Sequence, residues 1–367
     1  AGLWPHSSVN FVMQYNEVSY THLEHGSGDG EALDVDVGCI NTQVQFNYAH
    51  HNDGGGVLIC NGASSNGEIG NHTGTVIRNN LFYDNYKDQW RGAFLNVGSG
   101  VKDALIYNNL IIATGSLSEF KFVLSGDWAN IGKSKDFIFK NNIFLSLSQV
   151  NAHFDISSIN NCVFTNNLAY QIGNELLSLD QSLLTYNPQI VIPSLLSGYE
   201  NSLKFRITNY NVFTDGLIFN GMLKNDMKGR KTYNISYLGP FVPYIIEAEN
   251  NNEGIPGKTE PYWIEHGIMF GSNEFILIGP AEGPVTYPIN INVGGLYNFR
   301  YDLACWYNDA TLTMYIDNVQ VGVVSIPHSD DVHPDHINIS SINIDEGNHE
   351  VKLIFSRPTC FEKFVIL

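Results

Sequence analysis

One asparagine-containing phrase recurs six times in the first half of the chain and constrains its fold more than any other feature. Alternating apolar and polar residues precede the asparagine, and another apolar residue follows it. The asparagines are Asn16, Asn47, Asn80, Asn109, Asn142 and Asn167, separated by 31, 33, 29, 33 and 25 residues. A period of about 20–50 residues is typical of solenoids, and alternation with a period of two predicts strands rather than helices.

Repeats of this kind bury their apolar faces by stacking on one another, at about 4.8 Å from strand to strand. A second apolar segment follows the early copies, as at 32–36 and 57–60, so each repeat is expected to supply more than one strand. An asparagine at the same turn of every repeat is expected to bond to its equivalent in the next. The sequence therefore predicts an asparagine ladder, and no helix, within residues 1–235.

The repeat resembles that of the right-handed parallel β-helix proteins, the superfamily of pectate lyases and polygalacturonases, over roughly residues 1–235. The resemblance implies a right-handed parallel β-helix over residues 1–240, with a capping tail from about residue 171, where the repeat decays. In such relatives an Asp-x-x-Gly phrase precedes the last strand, and Asp226-Met-Lys-Gly229 matches it. This fold carries many functions, so the resemblance implies no particular activity.

A different pattern begins near residue 241, where short alternating strands with frequent turns predict a β-sandwich. Glu247-Ala-Glu249, then Gly295-Leu-Tyr, Tyr315-Ile-Asp-Asn and Glu346-Gly-Asn-His-Glu follow in that order. This order resembles the calcium-dependent β-sandwich carbohydrate-binding modules of types six and thirty-five, over residues 241–367. The fold class expected for the whole chain is therefore all-β, a right-handed parallel β-helix followed by a β-sandwich (jelly-roll) domain.

The resemblance of the second domain implies one ion and one ligand surface. It places Glu247 and Glu249 on a structural Ca²⁺, with Glu362 where relatives usually have Asp, and oxygen donors suit this ion. Solvated glutamates on an edge strand are the alternative. Aromatic platforms for sugar faces are expected at Trp263 and Trp306, although packing would account for either ring. The sequence contains no motif for an organic cofactor.

Acidic and polar residues are concentrated in the first three repeats. In 33–37 the apolar residues Leu33, Val35 and Val37 are expected to face inward, so Asp34 and Asp36 face solvent together. Overlaying the repeats brings other polar residues to neighbouring positions. These are His51, Asp53, Asp84, Trp90 and Arg91. The sequence therefore predicts a single groove lined by these residues across the stacked repeats.

Paired carboxylates indicate acid–base chemistry on a glycosidic bond. The Cα atoms of residues i and i+2 of a strand lie about 6.6 Å apart, at the lower edge of the about 6.5–9.5 Å between carboxyl groups expected for inverting hydrolysis. Carboxylates on adjacent repeats, at about 4.8 Å, would instead approach the spacing of retaining hydrolysis. One of Asp34, Asp36 and Asp53 is then the acid and another the base, while His51 or Arg91 orients the substrate. Trp90 and Asp84 would help to bind it. A calcium site, a solvated face and turn chemistry at 52–56 are the alternatives.

Charge and composition narrow the partners. The chain has 19 Lys and Arg residues and 37 Asp and Glu residues, which gives a net charge of −18. This negative charge disfavours binding to the phosphate backbone of nucleic acid. No apolar run is long enough to predict a membrane span. The five cysteines form no CxxC motif, and they leave open whether Cys305 and Cys360 pair or are buried thiols. The first residues suggest either a processed secreted protein or part of a longer one.

These observations together predict a secreted, extracellular or cell-surface carbohydrate-active protein. The favoured activity is hydrolysis of a polysaccharide or oligosaccharide by paired aspartates, with an appended glycan-binding module. A polysaccharide lyase assisted by calcium is one alternative, and a non-catalytic adhesin or extracellular structural protein is the other. The Asn-Thr-Asp and Gly-His-Gly phrases of polygalacturonases are absent from the sequence, so their mechanism is not transferred.

The calcium assignment can be tested by removing the ion. A chelator is expected to lower the thermal midpoint of unfolding, because an ion that binds only the folded state stabilises that state by mass action. Differential scanning calorimetry with and without the chelator measures the change, and the Glu247→Gln variant should lose most of it. An unchanged midpoint in the unsubstituted chain would contradict the assignment of Glu247 and Glu249.

Overall fold

The chain contains two compact units, Ala1–Val242 and Pro243–Leu367, called here the parallel-sheet unit and the sandwich unit. The sequence places the boundary at 240/241. The structure, a computed structural model, describes residues 1–23, 30–63, 68–85, 93–114, 119–219, 222–228, 237–242, 244–247, 263–265, 275–278, 283–291, 294–329 and 335–367. Each unit is described by itself.

Three parallel sheets make up most of the parallel-sheet unit, and each repeat adds one strand to each sheet in turn until the last repeat. The first sheet contains β1 (Val12–Gln14), β4 (Gln43–Gln45), β9 (Val76–Arg78), β12 (Lys102–Tyr107), β15 (Ser134–Lys140) and β18 (Ile159–Thr165). The second contains β2 (Glu17–Ser19), β5 (Tyr48–His50), β10 (Leu81–Tyr83), β13 (Leu110–Ala113), β16 (Ile143–Ser146) and β19 (Leu168–Tyr170). The third contains β3 (Glu31–Val35), β6 (Gly55–Ile59), β11 (Ala93–Val97), β14 (Glu119–Ser125) and β17 (Asn151–Phe154).

Parallel register stacks equivalent side chains into columns, which form the core of this unit. In the first sheet one column pairs residue with residue across all six strands. Its members are Met13, Val44, Ile77, Ile106, Phe139 and Phe164, and all are buried. The rings of Phe139 and Phe164 stack with centroids 4.4 Å apart. The apolar residues that alternate with polar ones in the sequence therefore form a continuous apolar interior.

The predicted asparagine ladder is confirmed. The side-chain oxygen of Asn109 accepts from the backbone N–H and the amide of Asn80, at 3.1 and 2.9 Å. The amide of Asn109 in turn donates to the side-chain oxygen of Asn142 at 3.0 Å. The same pattern joins all six asparagines and ends at Asp180, whose carboxylate accepts from Asn167. The residue before each ladder asparagine has a φ of 51–58°, which bends the chain between the first and second sheets.

The fold class predicted from the sequence is corrected by the structure. An all-β right-handed parallel β-helix over 1–240, with no helix over 1–235, was expected. The parallel β-helix is not confirmed, since the unit is β-rich with parallel sheets and carries helices in its last third. Helix α1 (Glu175–Leu179), helix α2 (Tyr199–Ser202) and a 3₁₀ helix (Tyr210–Phe213) lie there. Leu176 and Leu179, one helical turn apart, pack against the core, which is why a helix forms in place of another strand.

Four short strands complete this unit. They are β7 (Gly62–Ala63) with β8 (Glu68–Ile69), and β20 (Ile190–Val191) with β21 (Arg206–Ile207), each an antiparallel pair. In the described parts of the chain no helix is long and apolar enough to cross a membrane. All five cysteines are free thiols, and Cys305 and Cys360 are both buried.

The predicted β-sandwich is confirmed in the sandwich unit, where two antiparallel sheets occur. One sheet contains β22 (Tyr244–Glu247), β23 (Trp263–Glu265), β24 (Phe275–Ile278), β26 (Gly295–Ala304), β29 (Asp335–Ile344) and β31 (Thr359–Ile366). The other contains β25 (Val285–Ile291), β27 (Thr311–Ile316), β28 (Val319–Ser325) and β30 (Gly347–Phe355). Every second residue of β25 is buried, and Tyr287 packs against Phe364 of the facing sheet with ring centroids 5.2 Å apart.

A buried carboxylate, Asp302, connects three strands of the sandwich. It lies opposite His336 on one neighbouring strand and Lys363 on the other. His336 Nδ1 lies 2.7 Å from Asp302 Oδ1, Arg300 Nε lies 3.3 Å from it, and Lys363 Nζ lies 3.9 Å from Oδ2. Burial alone would raise the pKa of Asp302, but the hydrogen bond from His336 and the nearby positive charges outweigh burial and lower it.

The sandwich is therefore expected to lose stability in acid. A carboxyl whose pKa is lowered by folding stabilises the folded state above its unfolded pKa of about 4, and this contribution is lost as the pH falls through the folded value. The thermal midpoint of unfolding should decrease as the pH is lowered below about 4. Asp302→Asn should make the midpoint depend less on pH. Asp345→Asn is the matched control, because Asp345 is an exposed carboxylate of the same unit. An unaltered pH profile in Asp302→Asn would contradict the role given to Asp302.

Substitution in the middle of the ladder should be far more damaging than at its start. Asn109→Ala removes a buried amide that also donates to the carbonyls of Ile77 and Tyr107. Each buried partner left without a hydrogen bond costs about 1–3 kcal/mol, so the expected loss is about 3 kcal/mol. Asn16→Ala, in the first repeat and partly exposed, should cost less than about 1 kcal/mol. Urea unfolding measures both, and equal losses would show that the ladder does not hold the repeats together.

Candidate functional site

Strand β3 carries the acidic residues singled out from the sequence. Leu33 and Val35 are fully buried in the core, as expected from the alternation. Asp34 is only 5% exposed, so the expectation that both carboxylates face solvent was wrong for this residue. Asp36, one residue beyond the strand, is partly exposed. Alternation determines which face a side chain occupies but does not determine whether that face is covered.

Three donors surround the carboxylate of Asp36. Its Oδ1 accepts from the backbone N–H of Val37 at 2.7 Å and from the thiol of Cys60 at 2.9 Å, and its Oδ2 accepts from Trp4 Nε1 at 3.0 Å. Burial raises the pKa of the Cys60 thiol, and the adjacent Asp36 raises it further. The sulfur therefore keeps its proton as a donor. The three donors hold the Asp36 carboxylate in a fixed position.

Glu31 begins strand β3 and is 2% exposed. Its Oε1 accepts a hydrogen bond of 2.8 Å from the amide of Asn96, which lies two strands away in the third sheet. The intervening strand contributes Gly54, Gly55 and Gly56. A Cβ on Gly55 would lie 2.0 Å from the carbonyl oxygen of Ala93, so only glycine permits this close approach of the backbones.

The register of the third sheet places Asn96 in the same column as Asp34. Asp34 pairs with Leu58, and Leu58 pairs with Asn96. Asn96 and Glu31 were not selected from the sequence, although Glu31 belongs to the same acidic run. Asn96 and Glu31 lie 65 residues apart in the sequence. The run of three glycines was the sequence signal that could have indicated their contact, but it suggested only a turn.

His51 and Asp84 belong to a separate network at the bend that follows the second sheet. His50 Nδ1 lies 2.7 Å from His51 Nδ1, and His51 Nε2 lies 3.5 Å from Asp84 Oδ2. His50 Nε2 in turn lies 2.9 Å from Glu17, and Tyr20 stacks on His51 with centroids 5.3 Å apart. The overlay of the repeats thus paired His51 with Asp84 correctly. Along the chain, His51 lies seven residues before Leu58, the residue that pairs with Asp34 in the third sheet.

Asp53 forms a third, exposed contact. His22 Nδ1 lies 3.0 Å from Asp53 Oδ2, and the His22 side chain is 76% exposed. The described contacts fall into three groups: the Asp34 and Asp36 cluster with Glu31, the histidine network, and the Asp53 pair. The single groove stays a prediction. Trp90 and Arg91 lie outside the described residues, so their predicted roles in binding substrate stay predictions.

The residues predicted to bind calcium are described only in part. Backbone register pairs Glu247 with Lys363, which places Glu362 one residue from that pair. Glu249 lies outside the described residues, and the side chains of Glu247 and Glu362 do as well. Across the part of the chain that is described, no three His, Cys, Asp or Glu side chains form a group that could hold a metal ion. The calcium site stays a prediction.

Aromatic residues at one loop of the sandwich are available to a ligand. Trp306 and Tyr307 are 48% and 42% exposed, between β26 and β27. The guanidinium of Arg357 lies 5.5 Å from the Tyr307 ring centroid and also pairs with Asp309. Trp263, the other predicted platform, lies on β23, but its side chain is outside the described part of the structure.

Comparison with known proteins gives a short match and several weak structural similarities. No model of a known protein family matches the chain. A stretch of 63 residues, 17% of this chain, is 46% identical to a protein named Lacto-N-biosidase from Bifidobacterium longum subsp. longum, and it spans only 4% of that protein's length.

Two solved structures illustrate the weak similarities. The C-terminal family 6 carbohydrate-binding module of a marine laminarinase from Zobellia galactanivorans is 17% identical, covering 34% of this chain and 98% of that chain, with a TM-score of 0.28. An exo-β-1,3-galactanase from Phanerochaete chrysosporium, solved with galactose, is 17% identical, covering 36% of this chain and 30% of that chain, with a TM-score of 0.29. At such TM-scores neither structure carries an argument about this chain.

Proposed function

We propose that this chain belongs to a secreted glycoside hydrolase, in which the parallel-sheet unit cleaves a glycan and the sandwich unit binds one. The observation that carries the proposal is the contrast between two neighbouring carboxylates. Asp36 is held by three donors, whereas Asp34, two residues earlier, is buried. Glycoside hydrolysis needs two carboxyl groups whose surroundings separate their roles.

The surroundings assign a role to each carboxyl group. Asp36 is the base that activates water, because it is partly exposed and three donors hold its carboxylate in place. Asp34 is the acid that protonates the leaving oxygen, because it is the carboxyl group two residues before that base. The Cα atoms of residues i and i+2 of an extended chain lie about 6.6 Å apart, at the lower edge of the separation of about 6.5–9.5 Å between carboxyl groups that inverting hydrolysis uses, so inversion is the proposed outcome.

The substrate class follows from charge and from the short sequence match. A net charge of −18 disfavours polyanionic glycans, so neutral sugars fit the chain better. The protein that shares the matched stretch is named after lacto-N-biose, which makes glycans containing this disaccharide the first substrates to test. Trp306 and Tyr307 supply exposed rings for sugar faces in the sandwich unit, and a structural Ca²⁺ held with Glu247 and Glu249 remains part of the proposal.

Neutralising either carboxylate tests the proposal. Asp36→Asn and Asp34→Asn should each lower the rate of glycan hydrolysis by about 10²–10⁴, because each removes a proton-transfer group. Lacto-N-biose release from oligosaccharides, read by chromatography, gives the rate, and the anomeric form of the first product reports inversion. Asp103→Asn is the matched control, since Asp103 is exposed and accepts only from Thr73 among the described contacts.

Each outcome distinguishes the candidate functions. Full turnover by folded Asp36→Asn would sink the assignment of the base. Products with unsaturated sugars, detected by absorbance, would identify a lyase instead. Binding of glycans without turnover by the unsubstituted chain would identify a glycan-binding protein. Because Asp34 is buried, its variant should be checked by circular dichroism before its rate is interpreted.

A further inference from the structure

The side-chain oxygen of Asn96 is a buried acceptor on a residue in the same column of the third sheet as Asp34. Asn96 is 2% exposed, and its amide nitrogen donates to Glu31 Oε1 at 2.8 Å and to the carbonyl oxygen of Gly54 at 3.1 Å. Both amide hydrogens are thereby used. Among the described contacts the amide oxygen has no hydrogen-bond partner. A buried polar atom without a partner is uncommon, and a bound ligand is one way of satisfying it.

The orientation of this amide is fixed by its neighbours. Rotating it by half a turn would bring the Asn96 oxygen against the Glu31 carboxylate and the Gly54 carbonyl, which are both acceptors. Glu31 therefore acts as a positioning residue that keeps the amide oxygen free to accept. The glycines between the two residues allow the contact, since a Cβ on Gly54 would lie 2.5 Å from the Gly30 carbonyl carbon.

Two other buried asparagines show why the position of Asn96 matters. The side-chain oxygens of Asn79 and Asn108 also lack partners among the described contacts. Both side chains lie at the turn that Tyr237 covers, and their amides donate to Tyr237. Asn96 instead shares a column with Asp34, two strands away in the third sheet, a separation of about 10 Å between Cα atoms.

We propose that Asn96 accepts a hydrogen bond from a hydroxyl group of the sugar that lies against Asp34 and Asp36, and thereby selects which sugar is bound. This inference rests on the proposed function for the location of the sugar. A hydroxyl satisfies the single acceptor left by the fixed amide. A glycan without a hydroxyl at that place would leave the oxygen unpaired and would bind more weakly.

Binding of lacto-N-biose to the Asp36→Asn chain, measured by titration calorimetry, tests the inference without turnover. Adding Asn96→Leu should weaken binding about tenfold, the effect of one lost hydrogen bond. Glu31→Leu should weaken binding as well, because it releases the amide, whereas Glu31→Gln keeps an acceptor for Asn96 and should restore affinity. Leu58→Met, in the same column, is the matched control and should bind normally.

Equal affinity with and without Asn96→Leu would overturn the inference, and so would the failure of the Asp36→Asn chain to bind lacto-N-biose.

If Asn96→Leu does not fold, a crystal structure of the Asp36→Asn chain with lacto-N-biose decides. A sugar hydroxyl at hydrogen-bond distance from Asn96 Oδ1 supports the proposal, and any other partner for that oxygen overturns it. Binding that depends on Asn96 in a chain that hydrolyses no glycan would contradict the proposed hydrolase function alone. Hydrolysis unaffected by Asn96→Leu would contradict this inference alone.

Discussion

The hydrogen bonds of the asparagine ladder are the constraint on which the parallel-sheet unit depends. At each rung, one amide oxygen accepts from both the backbone N–H and the side-chain amide of the preceding repeat, as Asn142 does for Asn109. The turn between two sheets is thereby paired where no strand is present to pair it. A fully buried backbone N–H would otherwise remain without a partner, at a large cost in free energy.

The ladder also has a direction, and its last member differs from the others. Asp180 accepts from the backbone N–H and the amide of Asn167, and its other oxygen accepts from Ser182. A carboxylate only accepts, so it satisfies the last donors without requiring another rung. Helix α1 immediately precedes Asp180. The change from strands to helices and the end of the ladder therefore occur at the same place.

Rigid stacking also makes the proposed site possible. Columns fixed by the register bring Glu31 and Asp34 of β3 and Asn96 of β11 to one region of the third sheet, within the repeats that the ladder joins. Their side chains are buried, so the cost of placing polar groups there is met by contacts such as that of Asn96 with Glu31. Site and scaffold use the same chemistry, an asparagine amide that donates to an oxygen of another repeat.

The sequence by itself determined the repeat, the ladder and the sandwich. Alternation is local, and the spacing of Asn16 through Asn167 recurs at nearly constant intervals, so both can be read without knowing which strands pair. The column of Asp34, Leu58 and Asn96 could be anticipated in part, because equivalent positions of a repeat stack. The helices in the last third were missed, since the repeat had already ended and Leu176 and Leu179 span a single helical turn.

Only the tertiary structure decided which polar residues share an environment. Burial of Asp34, the thiol of Cys60 against Asp36, and the contact of Glu31 with Asn96 across three glycines each depend on how closely non-adjacent backbones approach. The sequence fixes the order of residues along a strand, and alternation fixes the face of the sheet that each side chain occupies. They do not fix what covers that face, because burial arises from segments distant in sequence.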